Sequence, residues 1–412
     1  MDLHFRTAKN DDLDRLIDVH LAAYPDHRGA EERKRNFTGN PFGSFEDLVI
    51  AEHGGDIIAH AFLFPFSAYF GGRKLKVGGI ASVAVAPEAR GRGVGTALMR
   101  YLHVRSDMRG DAVTMLYAFR YGYYTRLGYG VASSRKRITF DPASVPDTWC
   151  ALARARVRRA RGTDREAIQA AHERAASHAS GWIVRPATLW DRLFARERRH
   201  VLVAAGNDDG VAGYVAFTVE QETSWGEQTL AVSEIVAEDD ETRRALYGAI
   251  GGMRDQAAEA VIEVDAADPL EHGLLDLDRR RFGDDVVEHG LGTLVGGPMY
   301  RIEDVTRALE ARGYAADGAF DIVVRAARGA DGSDPGDEIA VSLCAEDGRT
   351  EVSAARGGGA IRTSRAGLAA MFYGGLRPSD AVRLGLAEGD ARTIARADAV
   401  LAMPPVAPLD AF

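Results

Sequence analysis

The sequence predicts a mixed α+β fold spread over two to three domains, and three observations carry that reading. Segments with the 3.6-residue period of amphipathic helices alternate with short apolar runs of strand character. A length of 412 residues exceeds one core at roughly 150 residues per domain. A strand-to-helix stretch beginning at Ala86 has a counterpart beginning at Ala237, which reads as an internal repeat.

The first segment, residues 1–142, opens on Asn10-Asp11-Asp12, good helix-capping chemistry. Leu13, Leu16, Ile17, His20, Leu21 and Tyr24 follow on one helical face. His20, the lone histidine of that face, reads as a packed side chain. Strand-like runs at 48–52, 56–70, 74–77 and 80–86 are punctuated by glycine pairs at 54–55, 71–72 and 78–79. A helix covers 94–105, and 112–119 read as a buried strand.

The second segment, 143–296, starts with a basic run from Arg154 to Arg161 that reads as a solvated face. Thr163-Asp164-Arg165-Glu166 then starts a helix, echoing the chain's opening. Asn207-Asp208-Asp209-Gly210 is a hairpin turn, Ser233 to Ala237 a strand, and Glu241 to Glu259 a helix. The third segment, 297–412, is predicted to be helical over Arg301–Arg312, extended over Asp321–Ala327, and a hairpin around Asp347-Gly348. Helices follow at 364–373 and 379–386, and Pro404, Pro405 and Pro408 impose an extended end.

Composition narrows the function classes. The net charge of −9 repels phosphate backbones and argues against nucleic-acid binding. Two cysteines, Cys150 and Cys344, exclude a disulfide framework and a cysteine-rich metal site. No apolar run approaches ~18 residues and no signal peptide opens the chain, so the expectation is a cytoplasmic protein with no membrane partner and no metal.

The most informative stretch is Val83-Ala84-Val85-Ala86-Pro87-Glu88-Ala89-Arg90-Gly91-Arg92-Gly93-Val94-Gly95-Thr96. A strand ends at a proline, and an Arg/Gly-rich loop opens a helix. Glycines let backbone N–H groups close on an anion that the helix dipole favours, and Arg90 and Arg92 add charge. A phosphate-bearing ligand is implied. The G-x-G-x-G spacing is not that of a dinucleotide turn, and no Gly-Lys-Ser/Thr marks a P-loop. At Ala237–Leu246 the repeat lacks the glycines and places four acidic residues at the turn. A negative helix start repels phosphate, so this copy reads as a relic.

The pattern V-x-V-x-P-x-x-R-G-x-G-x-G resembles the acetyl-CoA loop of the GNAT (GCN5-related N-acetyltransferase) superfamily. Tyr123-Tyr124-Thr125-Arg126-Leu127-Gly128-Tyr129-Gly130 resembles the aromatic signature that follows the next strand there. Longer stretches are similar to the Eis (enhanced intracellular survival) family: Tyr124–Gly130, Arg185–Asp191, Asp268-Pro269-Leu270, Ala308–Tyr314 and a terminal phenylalanine. The resemblance spans the chain. It implies an active GNAT domain, a degenerate GNAT-like domain and a sterol-carrier-like domain, assembled as a homo-hexamer that acetylates amines such as polyamines, aminoglycosides or lysine side chains.

By the same resemblance acetyl-CoA is the co-substrate, held by Val83, Ala84, Val85, Arg90, Gly91, Arg92, Gly93, Val94, Gly95 and Thr96. The splayed strand pairs with the pantetheine arm, and an N–H near Val85 receives the oxyanion. Tyr124 matches the general acid and the Phe412 carboxylate the proton acceptor. Two departures touch the pocket: Phe119-Arg120 stands where Ser-Glu is common, and Ser82 replaces an aromatic. A rival reading is a binding protein for acyl-CoA or an apolar ligand without turnover.

Overall fold

Apolar runs and helical stripes build three sheets in the computed structural model, which describes residues 1–24, 29–195, 199–206, 210–220, 228–276, 290–325, 338–403, 410 and 412. The chain divides into two compact units. Met1–Ser133, Ser180–Arg192 and Gly297–Phe412 form the first, and Ser134–Ala179 with Leu193–Gly296 the second.

In the first unit the chain lays down β1 (His4–Thr7), α1 (Leu13–Ala23), α2 (Gly29–Thr38), β2 (Leu48–His53), β3 (Asp56–Phe70), β4 (Arg73–Val85), α3 (Val94–Arg109), β5 (Val113–Leu116), α4 (Tyr121–Thr125) and β6 (Gly130–Val131). Leu98, Met99 and Leu102 of α3 pack on Ala61, Leu63, Ile80 and Ala84 of the sheet, all at most 2% exposed. That is the apolar stripe of α3 meeting the inward positions of β3 and β4.

Three expectations are corrected here. Gly78 and Gly79 do not separate two strands; β4 runs straight through them. A Cβ on Gly79 would lie 2.2 Å from the Phe66 ring and one on Gly78 2.7 Å from Ser106 Oγ, so these glycines permit close approach. The strand expected over 112–119 stops at Leu116, and Phe119 is exposed. The helix expected to end at 105 continues to Arg109, where Gly110 at φ +83° stops it.

The second unit contains β7 (Ser134–Phe140), α5 (Asp147–Arg156), β8 (Val157–Arg159), α6 (Arg165–Ser177), β9 (Arg199–Ala205), β10 (Val211–Glu220), β11 (Thr229–Ala237), α8 (Asp240–Gly251), β12 (Glu259–Asp265), α9 (Leu270–Gly273) and β13 (Thr293–Gly296). Between α6 and β9, α7 (Ala187–Phe194) begins in the Ser180–Arg192 stretch. The first segment, expected to end at 142, gives up its last strand, because β7 pairs with β12 and β13. The helix expected to reach Glu259 ends at Gly251-Gly252, two poor helix formers, and Glu259 starts β12. Residues 207–209 of the expected hairpin turn lie outside the described residues.

The chain then returns to the first unit with β14 (Met299–Ile302), α10 (Val305–Ala311), β15 (Gly318–Arg325), β16 (Ile339–Glu346), β17 (Arg349–Ala354), β18 (Ala360–Ser364), α11 (Arg365–Phe372), α12 (Pro378–Arg383), β19 (Ala387–Glu388) and α13 (Ala391–Val400). The helix expected over Arg301–Arg312 is strand up to Ile302. Met299, Tyr300 and Ile302 are buried beside β5, and Asp304 caps the shorter α10 through the Arg307 N–H at 2.7 Å.

Sheet orders are β1-β2-β3-β4-β5-β14-β6, β13-β7-β12-β11-β10-β9-β8 and β17-β16-β15-β18-β19. The first two repeat one pattern. In each, a strand from another part of the chain lies beside the last strand of the run: β14 beside β5, β7 beside β12. The repeat extends to atomic detail. Arg6 grips Asp12 at 2.7 and 2.9 Å, and Arg158 grips Asp164 at the same two distances. These forks lower the carboxyl pKa of each aspartate, Asp164 to about 2.

Candidate active site

The glycine turn and the tyrosine helix meet in the first unit. β4 pairs in parallel with β5 only from Val77↔Val113 to Gly79↔Met115 and then continues to Val85 paired with β3 alone. A gap therefore opens between the two strands. Ser82, at φ +52°, sits at the bulge that re-aims the end of β4 against β3. Val85 faces Ala59 at a non-hydrogen-bonded position, since Ala86 N–H donates to Ile58 O at 2.8 Å. The Val85 N–H and C=O thus point away from β3, into the gap. Ala84 and Val94 are 1% exposed, their side chains packed into the core of the unit.

Gly91 (φ +73°) and Gly93 (φ +80°) turn the chain into α3, and a Cβ on either would meet nothing within 4 Å. Gly93 is the N-cap and supplies no side-chain cap, and the first turn of α3 carries no acid. The N–H groups of Val94, Gly95 and Thr96 are the donors a helix start leaves without an intrahelical partner, and they carry the positive end of the helix dipole. Arg92 is exposed and makes no ion pair or hydrogen bond among the described residues. Arg90 donates its Nε–H to Val85 O at 3.1 Å and so braces the loop.

The corresponding turn of the second unit is closed. Asp239 Oδ1 accepts the Thr242 N–H at 2.6 Å and fills with its own carboxylate the place an anion takes at an open helix start.

Tyr124 sits on α4, 3% exposed, its ring edge-on to Tyr123 at 5.0 Å and Tyr129 at 5.8 Å. Its hydroxyl has no hydrogen-bond partner among the described residues. Burial, then the neighbouring phenols Tyr24 and Tyr123, push its pKa above the usual tyrosine value, so the phenol holds its proton at neutral pH. Tyr123 joins the two motifs. Its hydroxyl reaches Thr96 and would lie 3.1 Å from a Cβ on Gly95. Phe119, Arg120, Tyr121, Gly122, Tyr123 and Arg126 line a cavity of about 400 Å³ on this side.

Phe412 lies in the same unit. Its ring is edge-on to Phe66 at 4.9 Å, Tyr117 at 5.7 Å, Phe42 at 6.0 Å and Phe64 at 6.3 Å. The prolines of the expected extended end lie outside the described residues. Sequence reasoning missed several supporting residues. Tyr24, expected only as a packing position, donates its hydroxyl to Val83 O at 2.9 Å. Tyr117 and Arg185 both engage Asp410. Only the Arg-Pro stretch beginning at Arg185 carried a signal, as part of a family-like motif. His20 is packed as expected, its ring against Tyr24, Phe37 and His60.

Residues 4–132 match an acetyltransferase (GNAT) domain, 181–302 a second domain of that description and 305–409 a sterol carrier protein domain. A glycine-lined helix start beside a splayed strand, within this arrangement, defines an acetyl-CoA-dependent acetyltransferase of tandem GNAT-like domains followed by a sterol-carrier-like domain. The N-acetyltransferase Eis of Mycobacterium tuberculosis and that of Mycobacterium bovis are each 30% identical over 344 residues, 80% of this chain and 78% of theirs. The chain belongs to the Eis N-acetyltransferase family. A GCN5-related N-acetyltransferase from Kribbella flavida is 26% identical with a TM-score of 0.77, over 100% of this chain and 98% of that one. Eis1 from Mycobacterium abscessus, 20% identical with both chains fully covered, shares the fold at a TM-score of 0.76.

Proposed function

We propose that the first GNAT domain catalyses transfer of acetyl from acetyl-CoA to a primary amine of a polyamine, an aminoglycoside-like molecule or a lysine side chain. The second domain is a non-catalytic relic, and the sterol-carrier-like segment delivers the chain end. The observation that carries this is the contrast between the two helix starts: open and glycine-lined at Gly93, closed by a carboxylate at Asp239.

In this reading the N–H groups of the 91–96 turn and Arg92 receive the pyrophosphate, and the edge of β4 at Val83 and Val85 faces the pantetheine arm. The amine nitrogen attacks the thioester carbonyl, whose oxyanion is met by an N–H near Val85. The nitrogen's proton passes to the Phe412 carboxylate, the C–S bond breaks, and Tyr124 gives its proton to the leaving thiolate. The burial that holds the Tyr124 proton and the seating of Phe412 in the same unit support these roles. The reading extends to a homo-oligomer, hexameric by family resemblance, working in the cytoplasm. No helix among the described residues is long and apolar enough to cross a membrane.

The test is release of free CoA across polyamines, aminoglycosides and lysine peptides, comparing the native chain with one extended by three residues past Phe412. Amine-dependent release that the extension suppresses, with acetyl-CoA affinity kept, is the expected result. Undiminished turnover in the extended chain overturns the Phe412 role, and no release with any amine overturns the enzyme reading.

A further inference from the structure

We propose that Arg185 and Tyr117 are positioning residues that clamp Asp410 and so hold the terminal carboxylate in the first unit; this rests on the role given to Phe412 above. Chain ends fray unless something ties them down. Here the tie is a buried ion pair. Arg185 Nε lies 3.0 and 2.9 Å from the two Asp410 carboxylate oxygens, with the side chains only 1% and 10% exposed. Tyr117 takes the backbone, its hydroxyl donating to Asp410 O at 3.0 Å. Side chain and main chain of one residue are therefore gripped at once.

The local fold explains why Arg185 stands there. Residues 181–184 run along the end of β3: Gly181 N–H donates to Tyr69 O, Tyr69 N–H to Trp182 O, and Val184 N–H to Ser67 O at 2.7 Å. That pairing delivers Arg185 beside Phe66, the ring nearest Phe412. The Arg185 guanidinium also lies over the Trp190 ring at 4.9 Å, which fixes its direction. The Ser180–Arg192 stretch belongs to the first unit although its sequence neighbours on both sides belong to the second. The clamp gives that excursion a purpose.

The geometry also limits the carboxylate. Two residues beyond Asp410 extend at most about 7 Å, at roughly 3.3–3.6 Å each. With Asp410 held and the Phe412 ring seated among Phe42, Phe64, Phe66 and Tyr117, the terminal carboxylate has little room to wander. Its distance from the reacting amine is then set by protein contacts, not by tail entropy.

Two readouts test the clamp in the untagged full chain. The first is release of Phe412 by a carboxypeptidase that prefers aromatic termini, followed by mass spectrometry. The second is turnover at saturating acetyl-CoA beside acetyl-CoA affinity. Asp410→Asn and Arg185→Met should release Phe412 at least about ten-fold faster and lose about ten-fold or more in kcat, with acetyl-CoA affinity within about two-fold. Arg185→Lys, which keeps the charge but lacks the Nε–H that both Asp410 oxygens accept from, should fall between. Tyr117→Phe removes one hydroxyl and keeps the ring beside Phe412, so it stays informative if an Arg185 variant does not fold. It should speed release by a smaller factor. Unchanged release in folded Asp410→Asn and Tyr117→Phe overturns the clamp. Faster release with full turnover supports the clamp and defeats the catalytic role of Phe412.

Discussion

Gly93→Glu should abolish acetyl-CoA binding and leave the first unit folded. Gly93 has φ +80°, a left-handed conformation that costs an L side chain about 1–2 kcal/mol. No atom lies within 4 Å of a Cβ there, so no steric cost is added. A carboxylate at this N-cap can accept N–H groups of α3, as Asp239 does for α8 in the second unit, which offsets part of the strain. The same carboxylate then stands where the proposed site places the pyrophosphate. Two like charges ~4 Å apart at an effective dielectric of ~20 repel by about 4 kcal/mol, a loss of roughly 10³-fold in Kd. Gly93→Ala separates strain from charge and should weaken binding by less than about ten-fold. Titration calorimetry with CoA, beside thermal unfolding, reads both quantities. A folded Gly93→Glu protein that binds CoA within three-fold of the parent (well inside the ~10³ expected) refutes the site. Arg243→Ala and Arg244→Ala, at the relic turn, should leave CoA affinity unchanged.

Four further outcomes are expected. Tyr124→Phe keeps the ring against Tyr123 and Tyr129 and should lower kcat by ~10²-fold with acetyl-CoA affinity unchanged. Because the Tyr124 pKa is raised, loss of its proton should not depress parent turnover anywhere between pH 7 and about 9. His60 is fully buried, its pKa pushed down to about 3 by burial and then by His20. A depressed histidine leaves stability intact above the unfolded pKa of ~6.5 and removes up to about 1.4 kcal/mol per pH unit as pH falls from there toward 3. His60→Phe should flatten that acid slope in urea unfolding from pH 7 to 4.5, and an unaltered slope would contradict the burial argument. A fragment of residues 1–142 lacks β14, which lies between β5 and β6 in the first sheet. It should show no cooperative unfolding transition and no CoA binding by calorimetry.

The chemistry of the glycine turn is legible because it is local. The demand for φ above zero at Gly91 and Gly93, the missing side-chain cap and the absence of acid in the first turn lie within a few consecutive residues. The hairpin at Asp347-Gly348 is legible for the same reason, with φ +49° and +71°. The relic turn could also be read in place, since Asp239 caps its helix from three residues away. Where local signals misled, a tertiary neighbour overrode them. Gly78-Gly79 looks like punctuation until Ser106 and the Phe66 ring are seen to need the space. Arg301–Arg312 carries a helical pattern, yet its start is strand because β5 has an unpaired edge.

The sequence by itself determined the class of fold, the glycine-lined turn, its acidic counterpart in the repeat and the kinship to a family, each of them a pattern within a short stretch of backbone. Only the tertiary structure decided which strands complete each sheet and what surrounds the chain end. Tyr24 reaches Val83 across 59 residues, Arg185 reaches Asp410 across 225, and Tyr117 reaches it across 293. No periodicity encodes such pairs. They arise when burial forces each polar group to find a partner, and the partner is whichever group the folded chain has brought within reach.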